Sequence, residues 1–153
     1  MGEMTRNGER ITILLADDHE LVREGFRKVL ERHPDLSIVG EAANGSQAVE
    51  LVQRTSPRVL VVDLNMPGIS GIEVARQVAK THRSTRVLLM SGYGEERYVL
   101  QALRSGAAGY VLKGSGSAEL VRAIHEVAAG RIYLSPPLSL EDLQVFAWEA
   151  GDE

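Results

Sequence analysis

Hydrophobic side chains in this chain alternate between two spacings. Short, nearly continuous apolar runs occur at Ile11–Ala16 (ITILLA), Leu36–Ala42 (LSIVGEA), and residues 58–63 (RVLVVD), 86–92 (RVLLMSG) and 108–114 (AGYVLKG). Runs of this length, rich in Val, Ile and Leu, predict strands, and RVLVVD has the character of a central strand covered on both faces. Between them the apolar positions recur every three or four residues. Val22, Phe26, Val29 and Leu30 predict a helix that stops near His33 and Pro34, and Ala48, Leu51 and Val52 a second that opens after the Asn44-Gly45 turn. Ile72, Ala75, Val78 and Ala79 mark a third helix, and Val99, Ala102 and Leu103 a fourth that ends at Ser105-Gly106. Leu120, Val121, Ile124, Val127 and Ala128 mark a fifth, which stops at Gly130.

Five strands, each followed by a helix, predict an α/β fold: a doubly wound, five-stranded parallel sheet of (βα)5 type spanning about 120 residues. Right-handed crossovers put helices on both faces and bring the strand C-termini to one edge, where open sheets of this kind bind ligands. The polar residues at that edge are Asp17 and Asp18 after the first strand, Asp63 after the third, Ser91 after the fourth and Lys113 after the fifth. Taken singly each has a plain structural explanation: Asp18 a helix cap, Ser91-Gly92 a turn, Lys113 a solvated charge. Taken together they gather three carboxylates. At about 4 Å and an effective dielectric near 20, each like-charged pair costs on the order of 4 kcal/mol, so positive charge is required among them. Lys113 supplies one charge. A divalent cation supplies two more, and an all-oxygen donor set with no His or Cys cluster favours Mg²⁺.

Composition narrows the setting. The chain has 153 residues, 44% hydrophobic and 25% charged, enough for one domain with a sizeable core. A formal net charge of −4 provides no general attraction to nucleic acid or to an anionic membrane. The absence of cysteine excludes disulfides, thiolate metal sites and cysteine nucleophiles and suits the cytoplasm, the expected location. No apolar run approaches the roughly 18–20 residues that span a bilayer, and the start MGEMTRNGER lacks the apolar core of a signal peptide. Residues 1–9 are therefore read as a disordered tail. His19, His33, His82 and His125 have no ligand spacing and are read as surface or helix-end residues; His19 alone adjoins the acidic doublet.

The set ADDHE, VVDLNMPGISG, MSGYG and GYVLKG, in register at the strand ends, resembles the receiver domain of two-component response regulators over roughly residues 10–130. The resemblance implies a flavodoxin-like fold with strand order 2-1-3-4-5. It implies that Asp63 is the phosphoacceptor, phosphorylated by a sensor histidine kinase or a phosphotransfer protein, and that Asp17, Asp18, Asp63 and the backbone carbonyl of Asn65 hold Mg²⁺. Lys113 matches the lysine that pairs with the phosphoryl oxygens, Ser91 the hydroxyl that bonds the attached group, and Tyr110 the switch aromatic. Asn65 and Tyr93 match positions that tune acyl-phosphate lifetime.

The exit RIYLSPP resembles that of regulators with a C-terminal helix-turn-helix domain of the NarL/FixJ (LuxR) type. The reading divides the chain into a receiver at 10–131 and a linker at 132–153, where Leu140, Leu143 and Ala147 permit a short amphipathic helix. Five acids and no base after Ser139 exclude a DNA-contacting helix there, so DNA would be reached only through a domain not present in this chain. A homodimer through the first, fourth or fifth helix is left open, and no membrane partner is expected. The expected role is a signalling switch rather than an enzyme. Two other readings were weighed: a stand-alone interaction module, and a Mg²⁺ phosphohydrolase with an aspartyl-phosphate intermediate. The latter lacks a second acid in Asp63-Leu64-Asn65 to activate water or protonate a leaving group.

Overall fold

The computed structural model describes residues 10–92 and 97–136. The N-terminal tail, Tyr93 and the proposed linker helix lie outside them. The elements are β1 (Ile11–Ala16), α1 (Glu20–Leu30), β2 (Leu36–Ala42), α2 (Gly45–Thr55), β3 (Val59–Asp63), α3 (Gly71–Thr81), β4 (Arg86–Ser91), α4 (Arg97–Arg104), β5 (Gly109–Leu112), α5 (Ser117–Ala128) and β6 (Tyr133–Leu134). A single 3₁₀ turn, Lys113–Ser115, separates β5 from α5. Every strand pair is parallel, in the order β2-β1-β3-β4-β5-β6. The first five strands follow the expected 2-1-3-4-5 order.

Strand periodicity divides the core in two. Successive side chains of β3 point to opposite faces, so Leu60 and Val62 join one cluster while Val59 and Val61 join the other. Leu60 and Val62 pack with Ala48 and Val52 of α2, Val74 and Val78 of α3, and Val99 and Ala102 of α4. Val59 and Val61 pack with Leu30 of α1 and with Leu120, Ile124 and Val127 of α5. All five residues of β3 are buried, as a strand at the centre of a doubly covered sheet requires.

Local chemistry opens the helices where the sequence indicated. Asn44 accepts a hydrogen bond from the Gln47 N–H (2.8 Å), and Gln47 Oε1 accepts one from the Ala43 N–H (2.8 Å), a reciprocal cap for α2. Ser70 caps α3 by accepting from the Glu73 N–H. At the start of α1 the capping position is His19, with no side-chain cap bond, so Asp18 does not serve as the cap of that helix.

The sheet has six strands where five were expected. Tyr133 pairs with Gly109 and Leu134 with Tyr110, so the first residues assigned to the linker extend the sheet beside β5. Two residues bounded by Pro136 are too short for period-two alternation to register. Among the described residues no helix is long and apolar enough to cross a membrane.

Candidate functional site

Register places the functional side chains. Ala16 of β1 is opposite Val62 of β3, so Asp17 and Asp63, each one residue further on, emerge side by side. Asp63 is opposite Met90, so Ser91 follows on the next strand, and Ser91 is opposite Leu112, so Lys113 follows on the one after. One row across the C-terminal edge thus carries Asp17, Asp63, Ser91 and Lys113.

The loop after Asp63 is held close by the Leu64 N–H donating to the Met90 carbonyl (2.7 Å) and the Gly71 N–H donating to the Leu64 carbonyl (2.9 Å). Gly71 has to be glycine: a Cβ there would lie 2.4 Å from the Asp63 carbonyl oxygen and 3.0 Å from Leu64 Cα. Its hydrogen atom lets the first turn of α3 rest on the backbone of the acceptor candidate.

Lys113 Nζ bridges two carboxylates, donating to Asp63 Oδ2 at 2.9 Å and lying 3.1 Å from Asp17 Oδ2. Asp63 Oδ1 accepts from the Asn65 N–H at 3.2 Å. Asp17 Oδ1 accepts from the His19 N–H at 2.8 Å, and the His19 ring Nδ1 lies 3.0 Å from the same oxygen and 3.1 Å from Asp18 Oδ1. Asp17 and Asp63 are buried, whereas Asp18 keeps 28% of its side chain exposed. Ser91 and Tyr110 are fully buried and their hydroxyls are hydrogen-bonded to each other, so in this state the phenol points inward.

Burial pushes the Asp63 carboxyl above its usual value, outweighing the opposite pull of Lys113. For Lys113, burial alone would lower the ammonium, but its pairing with the Asp63 and Asp17 carboxylates prevails and holds it above its usual value. The cluster sets three carboxylates against one lysine. Two of its buried oxygens have a nitrogen close by but outside hydrogen-bond geometry: Asp17 Oδ2 lies 3.1 Å from Lys113 Nζ, and Asp18 Oδ1 lies 3.1 Å from His19 Nδ1. Ligand atoms of Asp17, Asp18, His19 and Asp63 all lie within 4.8 Å of one another. Unsatisfied carboxylate oxygens facing a common space fit a hard divalent cation.

The structure brings Asp17, Asp18, Asp63, Lys113, Ser91 and Tyr110 together as the sequence indicated, and puts Asn65 beside them with its N–H on Asp63. Two further participants, Arg23 and Ser135, escaped the sequence reading, and a third, His19, was marked there only as adjoining the acidic doublet. His19 closes one side of the acidic cluster although no ligand spacing marked it. Arg23 of α1 donates to the Asp17 carbonyl (2.5 Å) and to Glu41 of β2 (3.1 Å), and its only sequence signal is a position one turn into the helix after the doublet. Ser135, buried beyond α5, reaches the strand that delivers Lys113.

The model of the response regulator receiver domain family matches residues 13–125. The chain is 40% identical over 133 residues to the nitrate/nitrite response regulator protein NarL of Escherichia coli K12, covering 87% of this chain and 62% of that protein's length. Its fold is similar to the signal receiver domain of the response regulator NarL from Mycobacterium tuberculosis, with a TM-score of 0.78 at 41% identity over 80% of this chain and 99% of that one. It is also similar to a LuxR-family two-component response regulator from Aurantimonas, with a TM-score of 0.81 at 38% identity over 94% of this chain and all of that one. With the acidic cluster, the bridging lysine and the buried hydroxyl pair standing on one sheet edge, the chain belongs to the response regulator receiver domain family.

Proposed function

We propose that residues 10–131 are a phosphoacceptor switch in which Asp63 takes a phosphoryl group from a sensor histidine kinase or a phosphotransfer protein. A carboxylate oxygen of Asp63 attacks phosphorus, the bond from phosphorus to the donor's imidazole nitrogen breaks, and an acyl phosphate forms. Lys113, already 2.9 Å from Asp63 Oδ2, neutralises negative charge on the incoming group. Ser91 supplies the hydroxyl that bonds the attached phosphoryl oxygens; turning toward them means leaving Tyr110, so the two states of the domain differ in the partner of one hydroxyl.

Asp17, Asp18, Asp63 and the Asn65 carbonyl are the residues that would hold Mg²⁺. When bound, the ion supplies charge neutralisation and alignment for phosphoryl transfer. The observation that carries the reading is the gathering of Asp17, Asp18 and Asp63 within 4.8 Å of one another, with a single lysine bridging Asp17 and Asp63. The role is signalling, in the cytoplasm, with self-phosphorylation from small phosphodonors and self-dephosphorylation expected. The similarity to NarL and to LuxR-family regulators supports transcriptional output through a separate DNA-binding domain, with residues 132–153 as the linker toward it and homodimer formation as an accompanying property.

Nuclear magnetic resonance with Mg²⁺ and beryllofluoride tests the switch. Backbone resonances of Asp63, Ser91, Tyr110 and Lys113 should shift in the wild type and stay fixed in Asp63→Asn; a wild-type spectrum that ignores both additions contradicts the reading.

A further inference from the structure

The strand that delivers Lys113 is fixed at its end by residues beyond α5. Ser135 is fully buried, its N–H donates to the Tyr110 carbonyl (3.0 Å) and its Oγ accepts from the Leu112 N–H (3.0 Å). A continuing parallel ladder would meet that N–H with a main-chain carbonyl, but the chain turns away at Pro136 and the hydroxyl takes the place of the carbonyl. A hydroxyl has one proton to give. Ser135 Oγ donates to Glu119 Oε1 of α5 (3.1 Å), which leaves its lone pairs for the Leu112 N–H. Glu119 Oε2 accepts from the Tyr133 hydroxyl at 2.6 Å, so a single carboxylate secures both ends of β6.

The carboxylate is suited to the task. Partial burial would raise it, but hydrogen bonds from Tyr133, Ser115 and Ser135 prevail and hold it below the usual range. Burial and the adjacent carboxylate push the Tyr133 phenol up to about 12, so it remains a donor at neutral pH. Ser135 thus grips the backbone on both sides of Val111, at the Tyr110 carbonyl and at the N–H of Leu112, the residue before Lys113.

We infer that Ser135 and Glu119 are positioning residues for phosphoryl acceptance, fixing the end of β5 so that Lys113 reaches Asp63 and Tyr110 reaches Ser91. The inference rests on the phosphoacceptor reading of Asp63. It makes the segment that leaves the domain part of the site's mechanics: what alters Lys113 is felt at Ser135, and a pull on residues after Ser135 is felt at Lys113.

The test compares wild type, Ser135→Ala, Glu119→Ala and Glu119→Gln in the full chain, with acetyl phosphate as phosphodonor and Mg²⁺ affinity and thermal unfolding measured in parallel. Ser135→Ala and Glu119→Ala should accept phosphoryl groups about three- to tenfold more slowly, the range expected for one lost neutral hydrogen bond acting through position, with Mg²⁺ affinity unchanged. Glu119→Gln, which keeps an acceptor for one hydroxyl, should fall between them and the wild type. Hydrogen exchange gives an arm independent of those variants: between wild type and Lys113→Ala the Leu112 and Ser135 amides should change protection. Unchanged phosphorylation rates in folded variants, or unchanged protection at both amides, overturn the inference. A wild type that takes no phosphoryl group overturns the underlying reading instead.

Discussion

Asp18 and Lys113 show how function and stability compete among neighbouring side chains. Asp18 Oδ1 is a buried carboxylate oxygen with no hydrogen bond, held near Asp17 and Asp63. Asp18→Asn should therefore stabilise the metal-free protein, by about 1 kcal/mol given its partial exposure, while lowering Mg²⁺ affinity at least ~10-fold. Chemical denaturation in chelator and a calorimetric Mg²⁺ titration check the two halves separately. Tyr110→Phe removes the phenol from Ser91 and should cost about 0.5–1.5 kcal/mol, read from denaturant midpoints. Asp63, the acidic doublet, Ser91 and Lys113 were legible because each stands at the end of an apolar run whose length fixes where the strand stops, whereas Tyr110, inside β5, was legible only through the resemblance to receivers. His19 was legible only as a neighbour of the doublet, and Arg23 and Ser135 were not legible: their roles depend on backbone atoms and on residues distant in sequence, such as Glu41 and Leu112, and no local spacing encodes those contacts.

The strands and helices were legible for a related reason. A sheet covered on both faces needs continuous apolar strands, and each helix must show one apolar stripe, so the change of period marks the boundaries. β6 left no such trace because two residues cannot display a period; it is held by Glu119, Tyr133 and Ser135 instead. The junction between β3 and α3 depends on a missing atom: Gly71→Ala forces a Cβ against the Asp63 carbonyl and should destabilise the fold by about 1–3 kcal/mol, measured by urea unfolding. The attachment of α1 to β2 adds ion pairs to apolar packing. Burial would raise Glu41, but Arg27 and Arg23 prevail and hold it below the usual carboxylate range. A carboxyl depressed in the folded state contributes stability that is present above its ordinary range and is lost as pH falls through the depressed value. Glu41→Gln should accordingly lose stability less steeply than the wild type as pH drops below about 5, seen in denaturant midpoints across that range.

For the domain taken together, two apolar layers and a parallel sheet serve to hold one charged row at one edge. The sheet can afford buried aspartates there because α1, the loop after β3 and the turn after β5 surround them with Arg23, the Asn65 N–H and Lys113. Fold class and strand order followed from the sequence together with its resemblance to receivers, while the sixth strand and its connection to the site required coordinates. Sequence similarity to NarL covers only 62% of that protein's length, so output belongs to the proposal and phosphoryl acceptance is its testable centre. The decisive measurement is intact-protein mass spectrometry after incubation with acetyl phosphate, with and without Mg²⁺. Wild type should gain a single phosphoryl group only when Mg²⁺ is present and Asp63→Asn should gain none; equal gain by the variant, or none by the wild type, contradicts the account.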